Sequence, residues 1–245
     1  MKSVAFCFTI AVMLAAVGSA SAQPVWGPTE DVVIQAGDNI VANAFSELGW
    51  DAGACGEANC DFRYNSLTVT GGFYEAERIY GGSVQDHVIT ISGGHLKDRG
   101  VTILGYDNNT TVNQSGGILE TIAFTALGRF AASTEYNMSG GQWLIGSDPP
   151  GGNGNLYILG NTPGCCDGYD PSNPGVLNFS GGEIVIMAED WSATGFDIVG
   201  QPWFNAPNGA VASFDGSGTT VTVPEPASLA LMGLGGLMML RRRRA

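Results

Sequence analysis

A Ser/Thr-Gly-Gly triplet recurs along this chain, at Thr70-Gly71-Gly72, Ser92-Gly93-Gly94, Ser115-Gly116-Gly117, Ser139-Gly140-Gly141 and Ser180-Gly181-Gly182. Its first glycine advances by 22, 23, 24 and then 41 residues, and the long step holds Pro/Gly-rich inserts at 148–154 and 163–175. A period of this size marks stacked repeats, since one such unit cannot bury its own apolar residues. The flanks repeat with it. Leu67, Ile89, Val112, Tyr136 and Leu177 stand three residues before the Ser or Thr. Val69, Ile91, Gln114, Met138 and Phe179 stand one before, with Gln114 the polar exception. Tyr74, Leu96, Leu119, Trp143 and Ile184 stand two after the second glycine. Alternation at every second residue is the period of a strand. Glycine reaches backbone angles closed to other residues, so the Gly-Gly step is expected to turn the chain.

A weaker signature, Leu104-Gly105, Leu127-Gly128, Ile145-Gly146 and Leu159-Gly160, reads as a second corner in each unit. The expected fold class is all-β: a short right-handed parallel β-helix, a solenoid with capping segments, coils about 4.8 Å apart. An antiparallel β-sandwich with the triplets at hairpin ends is the alternative. The expected division is a signal peptide at 1–22, an N-terminal cap segment at 23–62 and β-helix repeats at 63–188. A C-terminal cap and linker at 189–222 and a sorting signal with a membrane helix at 223–245 complete it. Capping segments are needed because an open solenoid end invites edge-to-edge pairing. The triplet repeats resemble those of autotransporter-type passenger domains, a likeness that implies the same β-helix.

The two ends carry the clearest functional signals. Met1 and Lys2 precede an apolar stretch from Val4 to Val17, followed by Gly18-Ser19-Ala20-Ser21-Ala22. A positive start, an apolar core and an Ala-x-Ala site form a secretory signal, with cleavage expected after Ala22 to leave Gln23 first. The Sec translocon and signal peptidase are the partners implied. At the other end, Pro224-Glu225-Pro226 is followed by an uncharged block from Ala227 to Leu240 and then by Arg241, Arg242, Arg243 and Arg244. The prolines forbid helix in that first segment. The apolar block is expected as a short membrane helix, and the basic cluster holds its end in the cytoplasm.

In that order the three parts resemble the PEP-CTERM sorting signal of bacterial exported proteins. The resemblance implies recognition by an exosortase-type membrane peptidase near Pro224-Glu225-Pro226. It also implies passage through an inner-membrane intermediate, then delivery to the cell surface or extracellular matrix. Proteins of this kind share their ends and differ between them, so the tail gives an address and not an activity.

Processing at both ends would leave about 200 residues, enough for one domain with a real core. Lys2 and the terminal arginines would be lost, leaving Arg63, Arg78, Lys97, Arg99 and Arg129 as the basic residues against most of the 23 acidic ones. Such an acidic domain is not a nucleic-acid binder and does not favour anionic lipid. The 37 glycines and the scarcity of Lys and Glu favour strands over helices.

Cys55, Cys60, Cys165 and Cys166 survive processing, and an even count in an exported chain suggests two disulfides. Adjacent Cys165 and Cys166 have Cα atoms about 3.8 Å apart, too close for an unstrained bond. Pairing across the two loops is preferred and local pairing stays open. Asp167, Asp170 and Asn173 beside them form an oxygen-rich loop able to hold Ca2+, and Asp107, Asn108 and Asn109 form another; such residues are also ordinary in turns. No other cofactor is expected.

Nothing in the chain matches a G-x-S-x-G, P-loop or HExxH motif. Glu75 and Glu77 alternate along one strand face with Asp86 nearby, a carboxylate set that glycoside hydrolysis could use but that a solvated face also explains. His95 is expected as a solvated side chain, because the equivalent position holds Phe73, Ile118, Gln142 and Glu183 elsewhere. The function expected is therefore non-enzymatic: a structural or adhesive surface protein in an extracellular polysaccharide matrix. The alternatives are a carbohydrate-binding module stacking sugars on Trp26, Trp50 or Trp203, residues that filling the caps also explains, and a polysaccharide-active enzyme.

Overall fold

The computed structural model describes residues 31–41, 45–48, 62–64, 66–76, 78–81, 86–100, 102–105, 108–122, 125–128, 133–146, 156–158, 175–195 and 197–224. Over these residues the chain is all-β, with no helix. The first half of the element order is β1 (Asp31–Ile34), β2 (Asn39–Val41), β3 (Phe45–Leu48), β4 (Phe62–Tyr64), β5 (Ser66–Ala76), β6 (Arg78–Gly81), β7 (His87–Asp98) and β8 (Thr102–Leu104). The second half is β9 (Thr110–Thr121), β10 (Thr125–Leu127), β11 (Thr134–Ile145), β12 (Leu156–Ile158), β13 (Val176–Met187), β14 (Phe204–Asn205), β15 (Val211–Phe214) and β16 (Gly218–Thr222).

From β5 to β13 long and short strands alternate along the chain and enter two different sheets. The long strands pair in the order β1-β5-β7-β9-β11-β13 and the short ones in the order β12-β10-β8-β6-β3-β4, parallel throughout. Each of the first four repeats thus adds one rung to both sheets. The triplets lie inside the long strands and not at hairpin ends, so the antiparallel sandwich does not describe these rungs.

The three apolar rows read from the sequence coincide with the register. Leu67, Ile89, Val112, Tyr136 and Leu177 are mutual partners, all buried. So are Tyr74, Leu96, Leu119, Trp143 and Ile184. Burying each such side chain contributes roughly 1.5–3 kcal/mol. Gln114 takes its place in the third row fully buried, and the core accommodates it with a local polar network. Its Oε1 accepts the Tyr136 hydroxyl at 2.5 Å, and its Nε2 donates to the carbonyl of Gln142 at 2.9 Å. Tyr136 in turn stacks on Trp143, ring centroids 4.5 Å apart. Burial pushes the Tyr136 hydroxyl well above its ordinary pKa, so it stays protonated as the donor that Gln114 needs.

The Gly-Gly step bends each long strand without ending it. The second glycine holds a positive φ at Gly72, Gly94, Gly117, Gly141 and Gly182, between 67° and 93°. At Gly94 a Cβ would stand 2.4 Å from the Gly71 carbonyl carbon, and at Gly117 it would stand 2.6 Å from the Gly93 oxygen. Successive bends therefore nest backbone against backbone, which only glycine permits. Side chains hold the other corners. Thr110 Oγ1 accepts the Gly105 amide at 3.0 Å, and Thr134 Oγ1 accepts the Gly128 amide at 2.9 Å while donating to the Leu104 carbonyl. Gly105 and Gly128 follow partnered residues of β8 and β10 and mark one corner. Gly146 does not belong with them. It follows Ile145, the partner of Thr121, and so stands at the end of a long strand. The apparent four-fold Leu/Ile-Gly signature merges two different corners, and Leu159-Gly160 lies outside the described residues.

Both ends of the long sheet are extended by chain that lacks the triplet. At the first, β1 pairs parallel with the start of β5, and β2 with its end. Gln35-Ala36-Gly37-Asp38 turns between them, with the Asp38 amide donating to the Gln35 carbonyl at 3.0 Å. This segment, expected to cap the repeats, supplies a rung with a degenerate bend. At the other end β14 pairs parallel with the first half of β13, while β16 runs antiparallel to its second half and pairs with β15. Trp203 and Phe204 are buried there, Phe204 against Phe179 with centroids 5.8 Å apart and Trp203 edge-on to Trp191 at 6.5 Å. Reversal of strand direction ends the parallel stacking of rungs.

Candidate functional site

The outer face of the long sheet differs on the two sides of the bend. Before it, the row of partners Thr68, Thr90, Asn113, Asn137, Asn178 and Asn205 points outward. The asparagines join into a ladder. Asn137 Nδ2 donates to Asn113 Oδ1 at 3.2 Å, Asn178 Nδ2 to Asn137 Oδ1 at 2.8 Å, and Asn205 Nδ2 to Asn178 Oδ1 at 3.0 Å. Beside this row stand the triplet hydroxyls. Ser139 Oγ donates to the Gln114 carbonyl at 3.5 Å and Ser180 Oγ to the Met138 carbonyl at 3.3 Å, which leaves the oxygen lone pairs outward. Between the rows runs a cleft of about 210 Å³, with Thr90, Asn113, Asn137 and Asn178 on one side and Ser115, Ser139 and Ser180 on the other. No charged side chain lines it, and among the described residues the one carboxylate bonded to its lining is Glu135, whose Oε1 accepts from Asn178 Nδ2 at 3.2 Å.

After the bend the outer face is mixed. Phe73, His95, Ile118, Gln142 and Glu183 form one row, and Glu75, Lys97, Glu120, Leu144 and Val185 the next. His95 is half-buried edge-on to Phe73, and its Nε2 stands 2.8 Å from Glu120 Oε2. Lys97 Nζ lies 3.5 Å from the other oxygen of Glu120. Glu75 is held by Arg99 at 3.0 Å. Asp86 Oδ1 accepts the Asn109 amide at 3.1 Å, and Asn109 Oδ1 accepts the Ser133 amide at 3.1 Å, so both link successive loops. Glu77 and Asp107 lie outside the described residues.

One carboxylate is buried within the fold. Asp98, at the end of β7, accepts the amides of Ile79 at 3.1 Å and Gly100 at 2.8 Å, as well as the Thr102 hydroxyl. Burial pushes its pKa up to about 6 in spite of these donors and the nearby Arg78 charge, which pull it down. It ties a long strand to the short strands on both sides of the corner. That is an architectural position and not an open site.

Of the residues expected to carry sorting and processing, Pro224 alone is described, exposed and two residues past the end of β16. Ala22, Gln23, Glu225, Pro226 and Arg241 to Arg244 lie outside the described residues, as does the apolar block 227–240. So do Cys55, Cys60, Cys165 and Cys166, and with them Asp167, Asp170 and Asn173. Among the described residues no cluster of His, Cys, Asp and Glu able to hold a metal occurs, and no helix is long and apolar enough to cross a membrane. Trp203, open to sugar stacking or to filling a cap, is 3% exposed and packs at the end of the core. Trp26 and Trp50 are outside the described residues.

The asparagine row was readable two residues before each Ser or Thr, but polar residues on the outside of a strand carry no periodic contrast with their surroundings. Only the register makes them a ladder.

Comparison with known families matches residues 222–244 to the PEP-CTERM protein-sorting motif. The motif implies an exported protein, processed by an exosortase-type membrane peptidase and sorted to the surface or outside the cell. It begins at Thr222, the last residue of β16. No curated protein and no solved structure matches the chain.

Proposed function

We propose that this chain is a structural or adhesive protein of the bacterial surface or extracellular matrix. The observation that carries this reading is the sorting motif at 222–244, which begins at the last residue of β16, the strand antiparallel to β13. A signal peptide ending at Ala22 would deliver the chain through the Sec translocon. The tail would then hold it in the inner membrane, apolar block inserted and arginines on the cytoplasmic side. Cutting at Pro224-Glu225-Pro226 would release the domain with β16 and its cap intact.

The body in this reading is a right-handed parallel β-helix. Its support is the alternation of long and short parallel strands, together with the strong right-handed preference of parallel crossovers. Such a stack is a rigid rod, suited to a stalk or a matrix element. The role is non-catalytic: Glu75 is engaged by Arg99, and the outer cleft offers amides and hydroxyls rather than paired carboxylates. Replacing Pro224-Glu225-Pro226 with three alanines tests the reading by fractionation and surface protease accessibility. The wild-type chain is expected at the surface or in the matrix, and the variant in the inner membrane. Equal surface delivery of both would refute it.

A further inference from the structure

The cleft beside the asparagine ladder has a chemistry that selects its occupant. We infer that it binds a linear, uncharged polyhydroxylated polymer, a neutral glycan, lying across the rungs. This rests on the surface-protein reading for its biological setting, though not for its chemistry.

Other ligand classes fit poorly. β7, β9, β11 and β13 are each paired on both sides, so a peptide cannot join them as an added strand. The chain's net charge of −13 opposes a nucleic acid. The lining holds no cation to recruit an acidic polymer. A sugar hydroxyl is both donor and acceptor, and the cleft presents both kinds of group on successive rungs. The Asn137 amide spends one N–H on Asn113 and one lone pair on Asn178, keeping one of each for a ligand. The Ser139 and Ser180 hydroxyls spend their protons on backbone carbonyls and keep acceptor lone pairs outward. The ladder also fixes the amide orientations before any ligand arrives, which reduces the entropy lost on binding. The rungs recur at the strand spacing, about 4.8 Å, so a repeating ligand meets an Asn and a Ser on three successive rungs, β9, β11 and β13.

The test uses the full chain in mild detergent, with cellohexaose and dextran as neutral probes and an alginate hexamer as an acidic one. Binding is read by calorimetry. A neutral probe is expected to bind saturably, with little dependence on salt. Asn113→Ala together with Asn137→Ala is expected to weaken it about ten-fold or more. Lys97→Ala, on the other side of the bend, is expected to leave it unchanged. Far-UV circular dichroism and melting confirm that the double variant is folded; should it unfold, Ser115→Ala with Ser139→Ala takes its place. No saturable binding of a neutral probe, binding indifferent to these substitutions, or binding of alginate alone would overturn the inference. Surface delivery of the same variants is followed separately. A chain delivered normally that binds no glycan defeats the cleft and spares the sorting reading, and a chain retained in the membrane that binds glycan does the reverse.

Discussion

Each long strand has two halves with similar interiors and different exteriors. Inside, both halves stack large apolar rows, and Tyr136 before the bend lies flat against Trp143 after it. Outside, the half before the bend repeats Thr and Asn in one row, while the half after it mixes Phe, His, Ile, Gln and Glu. The mixed side is locally paired, each charge answered by a neighbour such as Glu120 between His95 and Lys97. The uniform side is paired from rung to rung from Asn113 to Asn205. Interior stacking is thus a demand on every rung, whereas a uniform exterior row is found on one side of the bend only.

The largest expected effect breaks the interior that the halves share. Trp143→Ala should cost about 3–5 kcal/mol in chemical denaturation, because it empties a fully buried site and removes the ring stacked on Tyr136. Next comes the joint between the halves. Gly117→Ala should cost on the order of 3 kcal/mol, since a Cβ there meets backbone of the preceding rung at a positive φ. Ser92→Ala, one residue from the glycines but exposed, should cost less than about 1 kcal/mol.

Asp98 gives a comparable effect in its pH dependence. Its folded pKa is raised, so the native state holds the proton more tightly than the unfolded chain does. Stability from this group is full below its unfolded pKa of 3.8 and is lost as pH rises through about 6. The loss should be on the order of 3 kcal/mol, and Asp98→Asn should flatten it. Denaturant midpoints measured from pH 3.5 to 7 check both.

A smaller effect sharpens the reading of the interior. Gln114→Leu alone should cost about 1–3 kcal/mol by stranding the Tyr136 hydroxyl, and adding Tyr136→Phe should recover part of it. A double-mutant cycle reads the coupling. The smallest effect separates the two exteriors. Asn137→Ala and Glu120→Gln should each cost less than about 1 kcal/mol, the second with a loss that fades in high salt and the first with none.

The interior of the long sheet was legible in the sequence because the triplet set a frame and the apolar residues kept fixed offsets from it. Leu67 to Leu177 and Tyr74 to Ile184 fall in register as their spacing implies. The first rung was hidden because Gln35-Ala36-Gly37-Asp38 makes the bend without the triplet. Short strands such as Thr102–Leu104 escaped because three residues are too few to show alternation. Trp203 stayed open between sugar stacking and filling a cap because a tryptophan in a loop-rich segment gives no sign of which way it faces until Phe204 pairs its strand to Leu177. The tail was legible for another reason: it is recognised as linear chemistry, and its meaning does not depend on a fold.

That tail carries the central claim, and intact mass of the protein recovered from the native host's surface and medium tests it most directly. The account predicts a chain beginning at Gln23 and ending near Pro224-Glu225-Pro226, without the apolar block or Arg241 to Arg244. A chain recovered only from the inner membrane with those arginines still attached would contradict it.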